Sequence, residues 1–213
     1  MARRKRILDA TLSLVREHGL DDLSMVQIAA RAKVGVATVY NLFETKHAIF
    51  STILDRELQE FSDRVSHHPG PMSALEKIFL TVEFVVEIVE RDPQFYRAMA
   101  YASSEEKLAA AVTKRRIASY VEMVSCAIAE GQLRRDTEPE DLGVTLANLI
   151  SGTALGSVLD VPKRRLSARL NYGVALLLHA FSTESGAPVI RAYLEAARAV
   201  LHAASGRRPR AHR

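Results

Sequence analysis

A single cysteine, Cys126, occurs among the 213 residues. No internal disulfide can form within one chain, and this cysteine content fits a cytoplasmic protein in a reducing compartment. Long uncharged segments are also scarce. One such segment covers the eighteen residues 142–159, but its apolar character is interrupted by Thr145, Asn148 and Ser151. We therefore expect this segment to be buried between helices and to span no membrane.

The sequence lacks several common catalytic motifs. It contains no glycine-rich phosphate loop, no Gly-x-Ser-x-Gly elbow and no His-Glu-x-x-His zinc pattern. A Glu-x-x-His spacing occurs once, from Glu44 to His47, whereas a di-iron bundle needs this spacing on two facing helices. We therefore expect no enzymatic activity, no bound metal and no cofactor.

Strand patterns are missing as well. No stretch alternates apolar and polar residues as a half-buried strand does, and no Asn-Gly hairpin turn occurs. The residue pattern is helical and is broken at Gly and Pro positions. It predicts an all-α fold, with helices beyond the first fifty residues over 46–66, 73–91, 93–103, 105–131, 139–159, 162–183 and 187–204.

The most informative segment that is present covers residues 24–46. Ser24 and Gln27 have the spacing of a capping box, in which the Ser hydroxyl accepts a backbone N–H bond and the Gln side chain accepts one from the Ser N–H. A helix is therefore expected to begin there. Lys33 and Val34 then interrupt the helix, and Gly35 caps a second one over residues 36–43.

The two short helices are predicted to have distinct inner and outer faces. The apolar positions of the first are Val26, Ile28, Ala29 and Ala32, and those facing inward from the second are Val39, Leu42 and Phe43. The outer face of the second helix consists of Val36, Ala37, Thr38, Tyr40 and Asn41. A short helix with small, uncharged outer residues fits a major groove about 12 Å wide. The alternative is a helical hairpin that serves only as core.

At these residues the chain resembles the TetR family of bacterial transcriptional regulators. The family pattern is a capped helix, Ile-Ala, an Ala-Gly-Val turn and a Thr-(aliphatic)-Tyr-x-x-Phe helix followed by Lys. The matching residues are Ser24, Ile28, Ala29, Ala32, Val34, Thr38, Val39, Tyr40, Phe43 and Lys46. The resemblance covers about the first fifty residues and implies a helix-turn-helix that binds double-stranded DNA.

The resemblance also implies roles for individual side chains. In such proteins the residues matching Thr38, Tyr40 and Lys46 hold backbone phosphates. Those matching Val36, Ala37 and Asn41 meet base edges. The expected DNA-binding residues are Ser24, Gln27, Lys33, Val36, Ala37, Thr38, Tyr40, Asn41 and Lys46.

Three residues depart from the family pattern. Lys33 stands where the turn glycine is usual, so a left-handed backbone there would be strained. Leu42 replaces an aromatic residue, and Val26 occupies a position that is often polar and base-contacting. The last two changes indicate fewer hydrogen bonds to DNA and more van der Waals contact, for example with thymine methyl groups.

The N-terminal residues predict a first helix that completes a three-helix head. Ile7, Thr11, Leu14 and Val15 mark its apolar face, and Gly19 ends it. Before it, the basic arm Arg3, Arg4, Lys5 and Arg6 either follows phosphates or enters a minor groove, or it is a solvated, disordered start.

Charge is distributed unevenly along the chain. Residues 1–50 carry eight Lys or Arg and five Asp or Glu, whereas residues 51–206 carry seventeen and twenty. A positive end is expected if only that end meets phosphates. We predict a DNA-binding domain over 1–50, a regulatory and dimerisation domain over 51–204 and a disordered basic tail over 205–213.

Two uncharged segments, residues 142–159 and 170–183, are candidates for a homodimer interface. Gly152 and Gly156 form a Gly-x-x-x-Gly pair that permits close helix approach. TetR-like proteins dimerise through two such helices of each subunit, in a four-helix bundle. The expected interface residues are Leu149, Gly152, Gly156 and Leu177. The alternative is burial of both helices within one subunit.

The helix over residues 73–91 is apolar almost all round and is predicted to lie centrally. In TetR-like folds the neighbouring helices surround a ligand cavity. The expected lining is Phe79, Glu83, Phe95, Tyr96, Met99, Tyr120, Met123 and Asn148, although such side chains also build ordinary cores. If Glu83 or Glu87 turned inward, it would favour a cationic ligand.

These observations predict a cytoplasmic, homodimeric, sequence-specific DNA-binding transcriptional regulator. The expected mechanism is that of a repressor, which leaves a palindromic operator when a small hydrophobic effector of unknown identity binds. The alternative is a ligand-independent DNA-binding dimer with a solid core.

Overall fold

The computed structural model describes residues 2–19, 23–101, 106–160 and 165–203. These residues form ten helices: α1 (Ala2–His18), α2 (Met25–Ala32), α3 (Val36–Leu42), α4 (Lys46–Ser66), α5 (Ala74–Arg91), α6 (Pro93–Tyr101), α7 (Glu106–Ala129), α8 (Pro139–Asp160), α9 (Leu166–His179) and α10 (Ala187–Ala203). The predicted all-α fold is confirmed. The predicted basic tail, 205–213, lies outside the described residues.

The chain divides into two compact units. The first unit comprises Met1–His67 and Arg91–Arg115, and the second comprises His68–Glu90 and Arg116–Arg213. The first unit is larger than the predicted head of residues 1–50 because α1 packs against both α4 and α6 as well as α2.

The core of the first unit is assembled mainly from α1 to α4. Its buried residues are Ile7, Leu8, Ala10, Leu14, Val15, Leu23, Met25, Ile28, Ala29, Ala32, Val39, Phe43, Ile49, Phe50, Ile53 and Phe95. Phe95 comes from α6 and is far away in sequence. Its burial ties α6 to the helices that hold the helix-turn-helix.

Asp92 also fastens α6 to α1. Its buried carboxylate accepts a 2.6 Å hydrogen bond from Nε of Arg16 and, through its other oxygen, a 3.0 Å bond from the Phe95 N–H. One side chain therefore caps α6 and pairs with a cation on α1. One residue earlier, Arg91 donates to Glu57 of α4 at 2.6 Å.

An ion pair also links α1 to α2. Arg31 donates two 2.6 Å hydrogen bonds to the two carboxylate oxygens of Glu17. These bonds, together with one from Ser13, lower the pKa of Glu17 to about 2. The stabilisation is therefore fully present above the ordinary pKa of Glu and is lost as the pH falls towards 2. Because both groups are exposed, its size is modest.

In the second unit, α9 packs against both α8 and α10. Helix α5 is buried on most faces, and its buried residues are Ala74, Leu75, Ile78, Phe79, Val82, Phe84, Val86 and Val89. Its first turn is satisfied by side chains from the turn that follows α7: Glu130 accepts from the Ala74 N–H at 2.8 Å, and Gln132 from the Leu75 N–H at 3.2 Å. A carboxylate at the positive end of the α5 dipole is favourable.

Close backbone approach at Gly143 brings α8 onto α7. A Cβ atom there would lie 2.6 Å from Cγ2 and 2.9 Å from the backbone nitrogen of Val121. Only glycine permits this crossing without a shift of the backbone.

Among the described residues, no helix combines the length and the hydropathy that a membrane crossing requires.

Candidate nucleic-acid interface

The capping box at the start of α2 is confirmed. Ser24 Oγ accepts a 3.2 Å hydrogen bond from the Gln27 N–H, and Gln27 Oε1 accepts a 2.7 Å bond from the Ser24 N–H. These two side chains therefore orient the first turn of α2. Both are exposed.

The turn after α2 depends on Lys33. Its backbone is left-handed (φ 53°, ψ 50°), and it is the one non-glycine residue with positive φ in the described chain. The turn is closed by a 3.0 Å bond from the Val34 N–H to the Ala29 carbonyl. A side chain in this conformation costs about 1–2 kcal/mol. Lys33 is exposed and lies three residues before α3, so this strained turn carries a cation at the solvent-facing surface.

Replacement of Lys33 by glycine is expected to stabilise the fold and weaken DNA binding. Lys33→Gly removes the left-handed strain, so the free energy of unfolding should rise by about 1 kcal/mol. It also removes one cation per subunit, so the dependence of DNA affinity on salt should become shallower. Urea unfolding and a salt titration of DNA binding measure the two effects. Lys33→Asn is the matched control, because Asn tolerates this backbone but carries no charge. Destabilisation by glycine would contradict the strain argument.

Helix α3 presents its predicted outer residues to solvent. Gly35 has an extended backbone at the N-cap, and Val39 and Phe43 are buried. Exposed residues on the opposite side are Val36, Ala37, Tyr40 and Asn41, and Thr38 is partly buried. The ring of Tyr40 remains 49% exposed.

Two inward assignments from the sequence are wrong. Leu42 is 37% exposed, because α3 ends there and the backbone turns out of the helix at Phe43 (φ −147°, ψ 74°), which brings the ring of Phe43 into the core. Val26 is 60% exposed, because the cap starts α2 at Met25 and places Met25, not Val26, in line with the buried Ile28.

Exposed apolar side chains are concentrated on this part of the first unit. Of the seven large hydrophobic residues that are exposed in the described chain, four lie on α2 and α3: Val26, Val36, Tyr40 and Leu42. Together with Lys33, Ala37 and Asn41 they form what we call the α2–α3 surface. Its composition favours van der Waals contact with base edges, supplemented by a few hydrogen bonds.

The start of α4 adds positive potential. Thr45 caps the helix by accepting a 3.2 Å bond from the Ala48 N–H, and Lys46 is its first residue. Neither α2 nor α4 has an acidic residue in its first turn. A cation at a helix N-terminus is unfavourable by itself and favourable beside an anion such as a DNA phosphate.

The basic arm is part of a helix. Because α1 begins at Ala2 and includes Arg3, Arg4, Lys5 and Arg6, the interpretation of a disordered start is wrong, whereas contact of these residues with DNA stays a prediction. The guanidinium of Arg4 lies 4.7 Å from the ring centroid of Phe43, at the end of α3. This cation–π contact could not be found from the sequence, since the two residues are far apart in the chain.

The predicted ligand-cavity residues fall in different places. Phe79, Tyr120 and Met123 are buried in the second unit, whereas Phe95 lies in the core of the first unit and Tyr96 is on the same helix as Phe95. Glu83 and Asn148 are exposed, as is Glu87. Met99 lies in α6, but its side chain is outside the described part of the structure.

Sequence reasoning missed Tyr193 of α10. Its ring stacks on Phe79, with centroids 3.8 Å apart and planes 5° from parallel. Burial raises the pKa of Tyr193, and the carboxylates of Glu83 and Glu76 add to the rise. The local sequence carries no signal for this partner, because α5 and α10 are separated by most of the second unit.

The predicted interface glycines are open in the part of the chain that the structure describes. Gly152 and Gly156 are exposed, and a Cβ atom at either would meet no described atom within 4 Å. Leu149 and Leu177 are partly buried, and Leu149 packs 3.4 Å from the Cβ position of Gly173 on α9. Burial within one subunit therefore does not account for the glycine pair.

Comparison with known proteins matches residues 7–53 to a family described as "Bacterial regulatory proteins, tetR family". The HTH-type transcriptional repressor KstR of Rhodococcus jostii is 32% identical over 181 residues, which cover 83% of this chain and 82% of the repressor.

Two solved structures share the fold. SmeT of Stenotrophomonas maltophilia in complex with triclosan has a TM-score of 0.71 at 20% identity, over 86% of this chain and 93% of that one. The regulator FadR of Bacillus subtilis in complex with stearoyl-CoA has a TM-score of 0.69 at 17% identity, over 82% and 97%. At these identities the likeness establishes the fold alone.

Proposed function

The chain belongs to the TetR family of bacterial regulatory proteins, and from this premise we propose that it is a transcriptional repressor that binds a palindromic operator as a homodimer. A small hydrophobic ligand releases it from that operator. The observation that carries the proposal is the exposed α2–α3 surface, on a helix-turn-helix whose cap and turn are formed.

The roles proposed for individual residues follow from their exposure and chemistry. Asn41 can donate to and accept from a base edge, and Val26, Val36 and Ala37 can contact thymine methyl groups. Tyr40 and Thr38 carry hydroxyls suited to phosphate oxygens, and the cations Lys33 and Lys46 add charge. Ser24 and Gln27 act by orienting α2.

Dimerisation is supported by the open glycine pair on α8. A second α8 can approach Gly152 and Gly156 closely, because no described residue of the same subunit covers them. Two-fold symmetry then places two recognition helices in successive major grooves, about 34–36 Å apart. Such a repressor acts on chromosomal DNA in the cytoplasm.

Ligand response is supported by two solved relatives of the fold, which hold triclosan and stearoyl-CoA. Triclosan is largely apolar, and stearoyl-CoA carries a long apolar acyl chain. Phe79, Tyr120 and Met123 offer aromatic and sulfur side chains for such a ligand in the second unit. Binding would favour a dimer whose recognition helices no longer match the operator. The alternative, a ligand-independent DNA-binding dimer, would bind its operator with an affinity that no small molecule changes.

Selection of bound duplexes from a random pool tests the DNA-binding half of the proposal. We expect an enriched inverted repeat. Asn41→Ala should change the preferred bases at one position of each half-site, whereas Tyr40→Phe should weaken binding to all sequences alike. A pool that stays random would contradict the proposal. If Asn41→Ala left the selected motif untouched, its base-reading role would be wrong.

A further inference from the structure

Arg116 of α7 has a polar atom without a hydrogen-bond partner. Its Nε is shielded from solvent and makes no hydrogen bond to any residue that the structure describes. Among the described residues the guanidinium forms no ion pair, in contrast to the neighbouring Arg115, which pairs with Asp55. The side chain as a whole is partly buried.

A shielded guanidinium donor without an acceptor is unfavourable. Removing a donor from water without a hydrogen-bond partner is destabilising, and more so when the group is charged. Buried polar groups in native proteins are nearly always satisfied, so an orphan of this kind indicates a partner other than the described residues.

The position of Arg116 relates it to the apolar interior of the second unit. Tyr120 and Met123 follow it by four and seven residues, so the three lie on one face of α7. Both are buried, and the sulfur of Met123 lies 3.8 Å from the hydroxyl of Thr81 on α5. Arg116 therefore stands at one end of a buried aromatic and thioether stripe.

The charge at this place is opposite to the one that the sequence had suggested. Glu83 and Glu87, which would favour a cationic ligand if turned inward, are exposed. The shielded, unsatisfied charge on the α7 stripe is a cation instead. It would attract an acidic group.

We propose that Arg116 binds the anionic head group of the effector, and that the apolar body of the effector extends towards Tyr120 and Met123. The ligand class is an amphipathic anion with a carboxylate or phosphate group, which a planar guanidinium can hold through two parallel hydrogen bonds. The inference rests on the proposed ligand-responsive function and specifies its ligand.

The test uses four probes of equal chain length with the full-length protein: dodecanoate, dodecyl phosphate, 1-dodecanol and dodecylamine. Isothermal titration should show the better anion binding at least tenfold more tightly than the alcohol and the amine. The tighter of the two anions identifies the head group as carboxylate or phosphate. Arg116→Gln should lower the affinity for that anion by about tenfold to a hundredfold and leave the affinity for the alcohol almost unchanged.

Arg135→Gln is the matched control, because Arg135 is an exposed cation of the same unit. It should leave all four affinities unchanged. Arg116→Met guards against a purely structural explanation: without the unsatisfied donor, the ligand-free protein should melt at the same or a higher temperature while losing its preference for the anion.

Three results would overturn the assignment: equal binding of anions and alcohol by the wild type, an anion preference that survives Arg116→Gln, or no binding of any probe. None of them touches operator recognition. Failure of the proposed function would appear separately, as the absence of an enriched inverted repeat or as operator affinity that no bound probe changes.

Discussion

Raising the salt concentration from 50 to 200 mM should weaken operator binding by about 10³–10⁵-fold, if the dimer contacts six to ten phosphates. The reason is the release of counterions from DNA when protein cations replace them. The cations expected to act are Lys33, Lys46 and those in the first turns of α1, on a unit where α2 and α4 begin without acidic residues. Fluorescence anisotropy with the selected operator measures the slope of log affinity against log salt.

Variants that each remove one cation test which residues contact phosphates. Lys46→Ala removes one proposed phosphate contact per subunit, so the log–log slope of a dimer should fall by about 1.8. Arg198→Gln removes an exposed charge from α10 in the second unit and should leave the slope unchanged. Operator affinity that barely responds to salt would rule out phosphate contacts as the main source of binding.

Gly156→Leu, or equally Gly152→Leu, should convert the proposed dimer to a monomer at micromolar concentration. Overpacking a close helix crossing costs about 1–3 kcal/mol per site, and this cost arises twice in a symmetric dimer. The dimer Kd should therefore rise by roughly 30-fold to ten-thousandfold. Sedimentation velocity measures the assembly, and operator affinity should fall with it because two half-sites are no longer held together.

This substitution should affect the proposed interface and leave the fold of the monomer intact. Because an added Cβ at either glycine lies more than 4 Å from every described atom of neighbouring segments, leucine should not strain the monomer. It should even favour the helix by about 1 kcal/mol. Ala129→Leu, at an exposed position on α7, is the control and should remain dimeric. An unchanged dimer would move the proposed interface to another face, such as that of α10.

The sequence by itself determined the features whose partners are close in the chain. The capping box joins residues three apart, the turn at Lys33 bonds back to Ala29 and Ala30, and α4 runs from Lys46 to Ser66 as its spacing predicts. Helix starts and turns can be predicted from segments of a few residues, because their hydrogen bonds join residues three to five positions apart. The family resemblance rests on the same local features and could therefore be seen without a structure.

Burial and pairing were decided only by tertiary structure. The helical period shows that Leu42 and Val26 are apolar but does not show whether they are buried. Burial depends on which face of each helix is covered, and that is set by the packing of α1 on α2 and by Phe95. Arg4 on Phe43 and Tyr193 on Phe79 join residues from distant parts of the chain. The unsatisfied Nε of Arg116 and the uncovered Gly156 are properties of what surrounds them. Such contacts arise when helices pack, and their sequence separation leaves no periodic signal in any short segment.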